Sequence, residues 1–142
     1  MSVRLRLPGH MIFHHDLNLM VVKLKGVLNP ERIQRDIAFV TAAESRAAKP
    51  FNRFVDMSAI TQIRLDVAQV SKTAKLRRMD YLACPTVKSA YFVTTKRAAQ
   101  LAEMCAALTK ASSLQVEVFE DIRAAAEWLG VTEQDLAGPR SF

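Results

Sequence analysis

Residues 53–70, RFVDMSAITQIRLDVAQV, pass from a short apolar strand through a polar turn into the start of an amphipathic helix. Residues 54–57 form the kind of mostly apolar run that is buried inside a sheet. Asp66 is well placed to cap the helix, because its carboxylate can accept a hydrogen bond from an amide of the first turn. A strand that leads through a turn into a helix is a building unit of α/β folds.

Two strands are predicted ahead of this stretch. The first lies at residues 11–15 and turns at residues 16–18. In the second, apolar side chains occupy every other position, which is the period of a half-buried strand. These side chains are Met20, Val22 and Leu24. We expect Gly26 to end this strand.

A helix is predicted between these strands and residue 54. Asn29 is its N-cap and Pro30 its first residue, because the Asn side chain accepts an unpaired amide while Pro has no amide to lose there. Apolar side chains then recur at helical spacing and form one core-facing stripe. They are Ile33, Ile37, Val40 and Ala47. We expect Pro50 to close the helix.

The same alternation of strands and helices continues downstream. The second helix is expected to run to about Cys84, because Pro85 disfavours its continuation. A strand follows at residues 90–95. The third helix carries apolar side chains at positions i, i+3, i+4 and i+7, which predicts a buried face. These are Leu101, Met104, Cys105 and Leu108.

The last strand, at residues 115–118, is predicted to lie toward an edge of the sheet. Asp121 then begins a short helix that ends at Gly130 as its C-cap. Its buried stripe consists of Ile122, Ala125, Ala126 and Leu129. The order β-β-α-β-α-β-α-β-α predicts one α/β domain over residues 1–142, with its core at 11–130 and peripheral tails at 1–10 and 131–142.

Composition bounds the function classes. Half of the residues are apolar and 24% are charged, which is a globular balance. No apolar run approaches the ~20 residues that cross a bilayer, so we expect no integral membrane protein. The N-terminus has no apolar signal core, which predicts a cytoplasmic protein. Cys84 and Cys105 match no CxxC spacing and are expected to be reduced, buried thiols.

The net charge of +6 is concentrated in residues 64–97, which carry eight basic and two acidic side chains, while the rest of the chain holds twelve of each. The basic ones are Arg64, Lys72, Lys75, Arg77, Arg78, Lys88, Lys96 and Arg97. Attraction to an acidic partner should therefore centre on the second helix and the residues after it. A solvated helix face is the alternative explanation.

Three segments resemble the SpoIIAA-like (STAS-type) family: VLNPERI at 27–33, FVDMSAIT at 54–61 and VEVFEDIRAAAEWLG at 116–130. With the element order, the resemblance covers roughly residues 11–130. It implies an α/β fold with a mixed β-sheet and helices packed mainly on one face. It also implies that the protein binds a partner or a small ligand, and is not an enzyme.

The anti-anti-sigma branch of that family carries Asp-Ser-Ser-Gly before the second helix, where a kinase modifies a serine. This chain has Arg64, Leu65, Asp66 and Val67 there. We therefore expect no phosphate regulation at this turn. The Asp66 carboxylate could mimic a phosphate at the helix N-terminus, but an ordinary N-cap explains it at least as well.

No catalytic, cofactor or metal motif is recognised. His14 and His15 are adjacent on a predicted strand, so their imidazoles point to opposite faces and do not readily chelate one ion, and His10 adds no diagnostic spacing. The chain has no Gly-rich phosphate loop, HExxH or GxSxG. We predict no catalytic residue, no cofactor and no metal site.

Three functions remain, in decreasing order of preference. The first is a regulatory module that docks a protein with an acidic surface through Ser58, Thr61, Arg64, Asp66, Lys72, Lys75, Arg77 and Arg78. The second is a carrier or sensor of a small apolar or amphiphilic ligand, lined by Met57, Met79, Tyr81 and Phe92. Nucleic-acid binding is disfavoured, because no stacking aromatics interleave with the basic residues. The sequence does not determine the oligomeric state, and a homo-oligomer is compatible with it.

Overall fold

The structure is a computed structural model, and it describes residues 9–80, 86–109 and 113–137, without the side chains of residues 67, 74 and 76–80. Its strands and helices alternate after an initial pair of strands. They are β1 (Met11–His14), β2 (Leu19–Leu28), α1 (Pro30–Ala47), β3 (Asn52–Ile63), α2 (Val67–Asp80), β4 (Val87–Phe92), α3 (Lys96–Thr109), β5 (Leu114–Phe119) and α4 (Ile122–Leu129). Short 3-10 turns at His15–Leu17 and Gln134–Leu136 complete the described elements.

The five strands form one sheet in the order β1-β2-β3-β4-β5. β1 pairs antiparallel with β2, and the other three pairings are parallel. The mixed sheet that the resemblance implied is therefore confirmed, and β5 lies at an edge as predicted. Among the described residues, no helix is both long and apolar enough to cross a membrane.

Two apolar clusters cover the two faces of the sheet. One joins even-numbered β2 positions such as Met20 and Val22 to α1 and α3, through Val40 and Ala102. The other joins the opposite face to α4 and the final 3-10 turn. It contains Leu19, Val21, Phe54, Ala90, Ala125, Ala126 and Leu136. The prediction of helices mainly on one face is confirmed, with α4 as the exception.

β2 continues past Gly26, so the prediction that this glycine ends the strand is wrong. Gly26 has φ +73° and lies where the register between β2 and β3 shifts. Glycine adopts this left-handed backbone without steric cost, which lets the strand bulge and then resume pairing. Arg32 supports the bulge, because its Nη1 donates to the carbonyl oxygens of Lys25 and Val27.

β3 is much longer than predicted, and the expected polar turn after Met57 is part of the strand. Residues 59–63 pair with residues 25–28 of β2, whereas the pairing with β4 ends at Asp56. The end of β3 is thus one side of a two-stranded overhang whose outer positions are exposed, which explains its polar composition. β4 also begins and ends three residues earlier than predicted, at Val87–Phe92.

The predicted N-caps are confirmed. The Asn29 side chain accepts from the amide of Arg32 at 2.9 Å, and Asp121 Oδ1 accepts from the amide of Arg123 at 3.0 Å. Gly130 caps α4 in the left-handed conformation, with φ +75°. These capping contacts join residues that are close in sequence, so they can be predicted without knowledge of the tertiary structure.

The predicted buried face of α3 is offset from the observed one. The buried residues of α3 are Ala98, Ala102 and Thr109, whereas the predicted stripe of Leu101, Met104, Cys105 and Leu108 is half-buried. Small side chains face the sheet and the larger ones flank them. The difference follows from close helix–sheet packing, which hydrophobic periodicity does not detect.

The predicted peripheral tail from residue 131 requires a correction. Leu136 is 3% exposed and packs in the same cluster as Ala125 and Ala126 of α4. No other apolar residues lie at helical or strand spacing around Leu136, so hydrophobic periodicity does not predict its burial. The tail therefore contributes to the core up to this residue.

Candidate functional site

A cavity of about 150 Å³ lies between the sheet and the layer formed by α1, α2 and α3. Its sheet wall consists mainly of apolar side chains from β2 and β3, among them Val22, Val55 and Met57. The helices contribute both short side chains, including Val70 from α2 and Ala102 from α3, and longer ones such as Ile33 and Leu101.

A buried ion pair stands at the cavity. Arg53 at the start of β3 lines the cavity and is 5% exposed. Its Nη2 donates to Glu44 Oε2 of α1 at 3.2 Å, and the amide of Phe51 donates to the same oxygen at 2.7 Å. The Glu44 side chain is 12% exposed. Charged groups this deep require partners, because burial removes their hydration.

A second buried polar group belongs to α1. Asp36 lines the cavity, and its Oδ1 lies 3.1 Å from His10 Nε2. Its Oδ2 is buried and has no hydrogen-bond partner among the residues that the structure describes. No signal in the sequence points to this carboxylate, because its partner is 26 residues away and neither residue belongs to a recognisable motif.

Cys105 of α3 also lines the cavity. Burial raises the pKa of its thiol, so the sulfur is protonated at neutral pH. Reactivity of cysteine depends on the thiolate, and an apolar surrounding disfavours that form. Cys105 is a free, half-buried thiol, which is consistent with its prediction, and Cys84 lies outside the described residues.

Three of the predicted docking residues lie on or next to the overhang of β3, and all three are exposed. Ser58 donates to Asp56 Oδ1 through both its amide, at 2.9 Å, and its hydroxyl, at 2.6 Å. Thr61 follows on the same strand. Arg64 comes directly after it, and its amide donates to the carbonyl oxygen of Leu28 at 2.8 Å. Ser58 and Thr61 thus lie on a strand and not in the polar turn that was predicted after Met57.

The other predicted docking residues belong to α2 and its N-terminus. Asp66 Oδ1 accepts from the amide of Gln69 at 2.8 Å, while the Gln69 side chain accepts from the amide of Asp66 at 3.0 Å. This reciprocal pair is a capping box, as the N-cap prediction required. Lys72 and Lys75 are exposed on α2. Arg77 and Arg78 lie on the same helix, but their side chains are outside the described set.

Leu65 is the residue that the resemblance described above aligns with the modified serine. Its side chain is half-buried and packs against the cluster that contains Val40 and Val55. An apolar side chain used for packing offers no hydroxyl to a kinase. The absence of phosphate regulation at this position stays a prediction.

The basic segment does not form one continuous surface. Lys88 Nζ lies 5.2 Å from the centre of the Trp128 ring and donates to the Trp128 carbonyl oxygen at 2.8 Å, on the α4 side of the sheet. Arg97, in contrast, donates to the carbonyl oxygen of Ile63 at 3.2 Å, at the end of the overhang. The charge therefore divides between the two faces.

Two other predicted groups are placed differently. Phe92, predicted to line a pocket with Met57, lies on the opposite face, where its ring stacks on Phe54 with centroids 6.3 Å apart. Met79 and Tyr81 are not among the described side chains. Within the described ranges, no three His, Cys, Asp or Glu side chains cluster as a metal site would require.

Comparisons with known proteins concern the fold. No protein-family model matches the chain, and no curated protein matches it. Among solved structures it is similar to an uncharacterised protein of the DUF3478 family from Shewanella loihica PV-4, described as having a SpoIIAA-like fold. The two are 17% identical with a TM-score of 0.48, over 78% of this chain and 83% of that one. A likeness of this extent carries no argument about fold or function.

Proposed function

We propose that this protein is a non-enzymatic binding module that holds a small, mainly apolar ligand between its sheet and helices α1–α3. The observation that supports the proposal is the cavity of about 150 Å³. In another protein, an engineered apolar cavity of about 150 Å³ binds benzene or xenon. A ligand of single-ring size therefore suits the space.

The polar groups at the cavity favour binding over covalent chemistry. Arg53 is paired with Glu44, and Asp36 is held by His10. The Cys105 thiol is kept protonated by burial, which raises its pKa. Side chains that are engaged with one another or neutral are better suited to orient a ligand than to attack it.

The first test uses fluorobenzene as a probe of the cavity. A ligand that binds only the folded state stabilises it, by about 2.7 kcal/mol at a hundred times its Kd. We expect fluorobenzene to raise the melting temperature of the protein. The Ala102→Met variant should lose this response, because the longer side chain occupies the cavity. Ala107→Met is the matched control, since Ala107 is on the same helix but exposed.

The outcome is read from thermal unfolding and from titration calorimetry. Binding to wild type and Ala107→Met, but not to Ala102→Met, supports the proposal. Unchanged melting of all three proteins at saturating probe would contradict it. So would binding that Ala102→Met leaves intact, because the probe would then sit elsewhere.

A second candidate function is docking of a protein with an acidic surface, favoured by the exposure of Arg64, Lys72 and Lys75 around the β3 overhang and α2. Charge attraction of this kind weakens with salt and affects association more than folding. The acidic partner would contact these basic side chains together and not one of them alone. Ligand binding and docking are compatible, because α2 contributes both to the cavity wall and to the exposed basic face.

Replacing Lys72, Lys75, Arg77 and Arg78 with Gln should weaken binding to an acidic polyglutamate peptide at least tenfold, while the melting temperature changes little. The control replaces cations on α1, α4 and the α1–β3 loop: Arg35, Arg46, Lys49 and Arg123. It removes the same charge and should retain most of the binding. Binding that survives both the first substitution and raised salt would exclude this docking surface.

A further inference from the structure

Asp36 has one carboxylate oxygen engaged and one that is not. Oδ1 lies 3.1 Å from His10 Nε2, while Oδ2 is buried and finds no hydrogen-bond partner within residues 9–80, 86–109 and 113–137. The Asp36 side chain is 14% exposed, so water does not freely replace the missing donor. A buried acceptor without a donor is unfavourable, and such groups in native proteins are uncommon.

The same carboxylate lines the cavity, between Ile33, Ile37 and Val40 of α1. Two other polar residues of the wall are hydrogen-bonded inside the protein. Arg53 donates to Glu44 at 3.2 Å, and Thr109 Oγ1 donates to the carbonyl oxygen of Cys105 at 2.8 Å. Asp36 therefore combines contact with the cavity and an acceptor that the described residues leave unused.

We propose that the ligand of this cavity carries one hydroxyl or N–H group, and that Asp36 Oδ2 accepts its hydrogen bond. This inference rests on the proposed function. The ligand class is thus a ring-sized, mainly apolar molecule with a single donor, such as a phenol. His10 is a positioning residue, because its contact with Oδ1 holds the carboxylate while Oδ2 stays available to the ligand.

Much of the remaining wall is apolar. Val22, Val55 and Leu101 present hydrocarbon to the space. A second polar group placed against these side chains would lose its hydration without gaining a partner from them, which costs binding energy. The site should therefore select for a donor at one end and against polarity at the other.

Phenol and fluorobenzene test this directly, because they have nearly the same shape and only phenol has a donor. We expect phenol to bind wild-type protein about tenfold more tightly than fluorobenzene, as measured by titration calorimetry. Asp36→Leu should abolish that preference and leave fluorobenzene binding in place. Thr41→Val is the control, since it removes an exposed hydroxyl from the same helix, outside the cavity wall. It should keep the preference.

The outcomes separate this inference from the proposed function. Equal binding of both probes to wild type would overturn the role of Asp36 and leave the cavity proposal standing. Binding of neither probe would overturn both. A phenol preference that persists in Asp36→Leu would show that another group accepts the hydrogen bond. If Asp36→Leu does not fold, two tests of the role of Asp36 remain. One is the comparison of the two probes on wild-type protein. The other is Asp36→Asn, which should reduce the preference for phenol.

Discussion

Glu44→Ala should destabilise the protein by about 3–5 kcal/mol, the cost of removing one partner from a buried ion pair. The Arg53 and Glu44 side chains are 6% and 12% exposed, so little water reaches the guanidinium when the carboxylate is gone. The amide of Phe51 also loses its acceptor. Urea unfolding followed by circular dichroism measures the change as a shift of the midpoint.

Glu127→Ala is the matched control, because Glu127 pairs with Arg123 at 3.7 Å on α4 and both side chains are more than 70% exposed. Exposed pairs of this kind contribute about 0.2–1 kcal/mol. The double variant Glu44→Ala/Arg53→Met should be more stable than Glu44→Ala alone, since it removes the buried charge as well. Equal losses for Glu44→Ala and Glu127→Ala would show that the buried pair contributes no more to folding than an exposed one.

Local interactions account for the features that the sequence predicted well. Asn29, Asp66 and Asp121 cap helices through amides no more than three residues away, so a short window contains both partners. The spacing of apolar residues in strands and helices can also be read within a short window, because it repeats every two residues in a strand and every three to four in a helix. These signals were sufficient for the order of elements and the α/β class.

Strand lengths could not be predicted in the same way. β2 and β3 extend each other by pairing between residues 25–28 and 59–63, more than thirty positions apart. The polar composition of that part of β3 resembles a turn, because one side of the overhang faces solvent. Only the partner strand distinguishes an exposed strand from a loop. Ser58 and Thr61, two of the candidate docking residues, therefore lie on a strand and not in a turn.

Some of the polar residues at the cavity could have been predicted from the sequence. Arg53 alternates with Val55 and Met57, a period of two that places its side chain on the same face of β3 as these core residues. That parity could have identified a buried arginine in need of a carboxylate. No comparable signal leads from Asp36 to His10, because the contact joins α1 to the residue before β1.

Leu136→Ala should cost about 2–5 kcal/mol, although Leu136 lies in a short tail that the sequence assigned to the periphery. The residue is 3% exposed and packs with Ala125, Ala126 and Phe54. The shorter alanine side chain therefore leaves a cavity beneath α4. α4 has only eight residues and depends on tertiary packing for its stability. Loss of Leu136 should therefore loosen the whole helix.

Truncation after Val131 should be at least as damaging as Leu136→Ala, since it removes the same side chain together with the 3-10 turn Gln134–Leu136. Glu133→Ala in the same segment is the control, because its side chain is exposed and makes no capping hydrogen bond. Thermal and urea unfolding of the three variants compare these costs. If truncation after Val131 left the unfolding midpoint unchanged, the tail would be peripheral after all, and α4 would be held by its contacts with β4 and β5 alone.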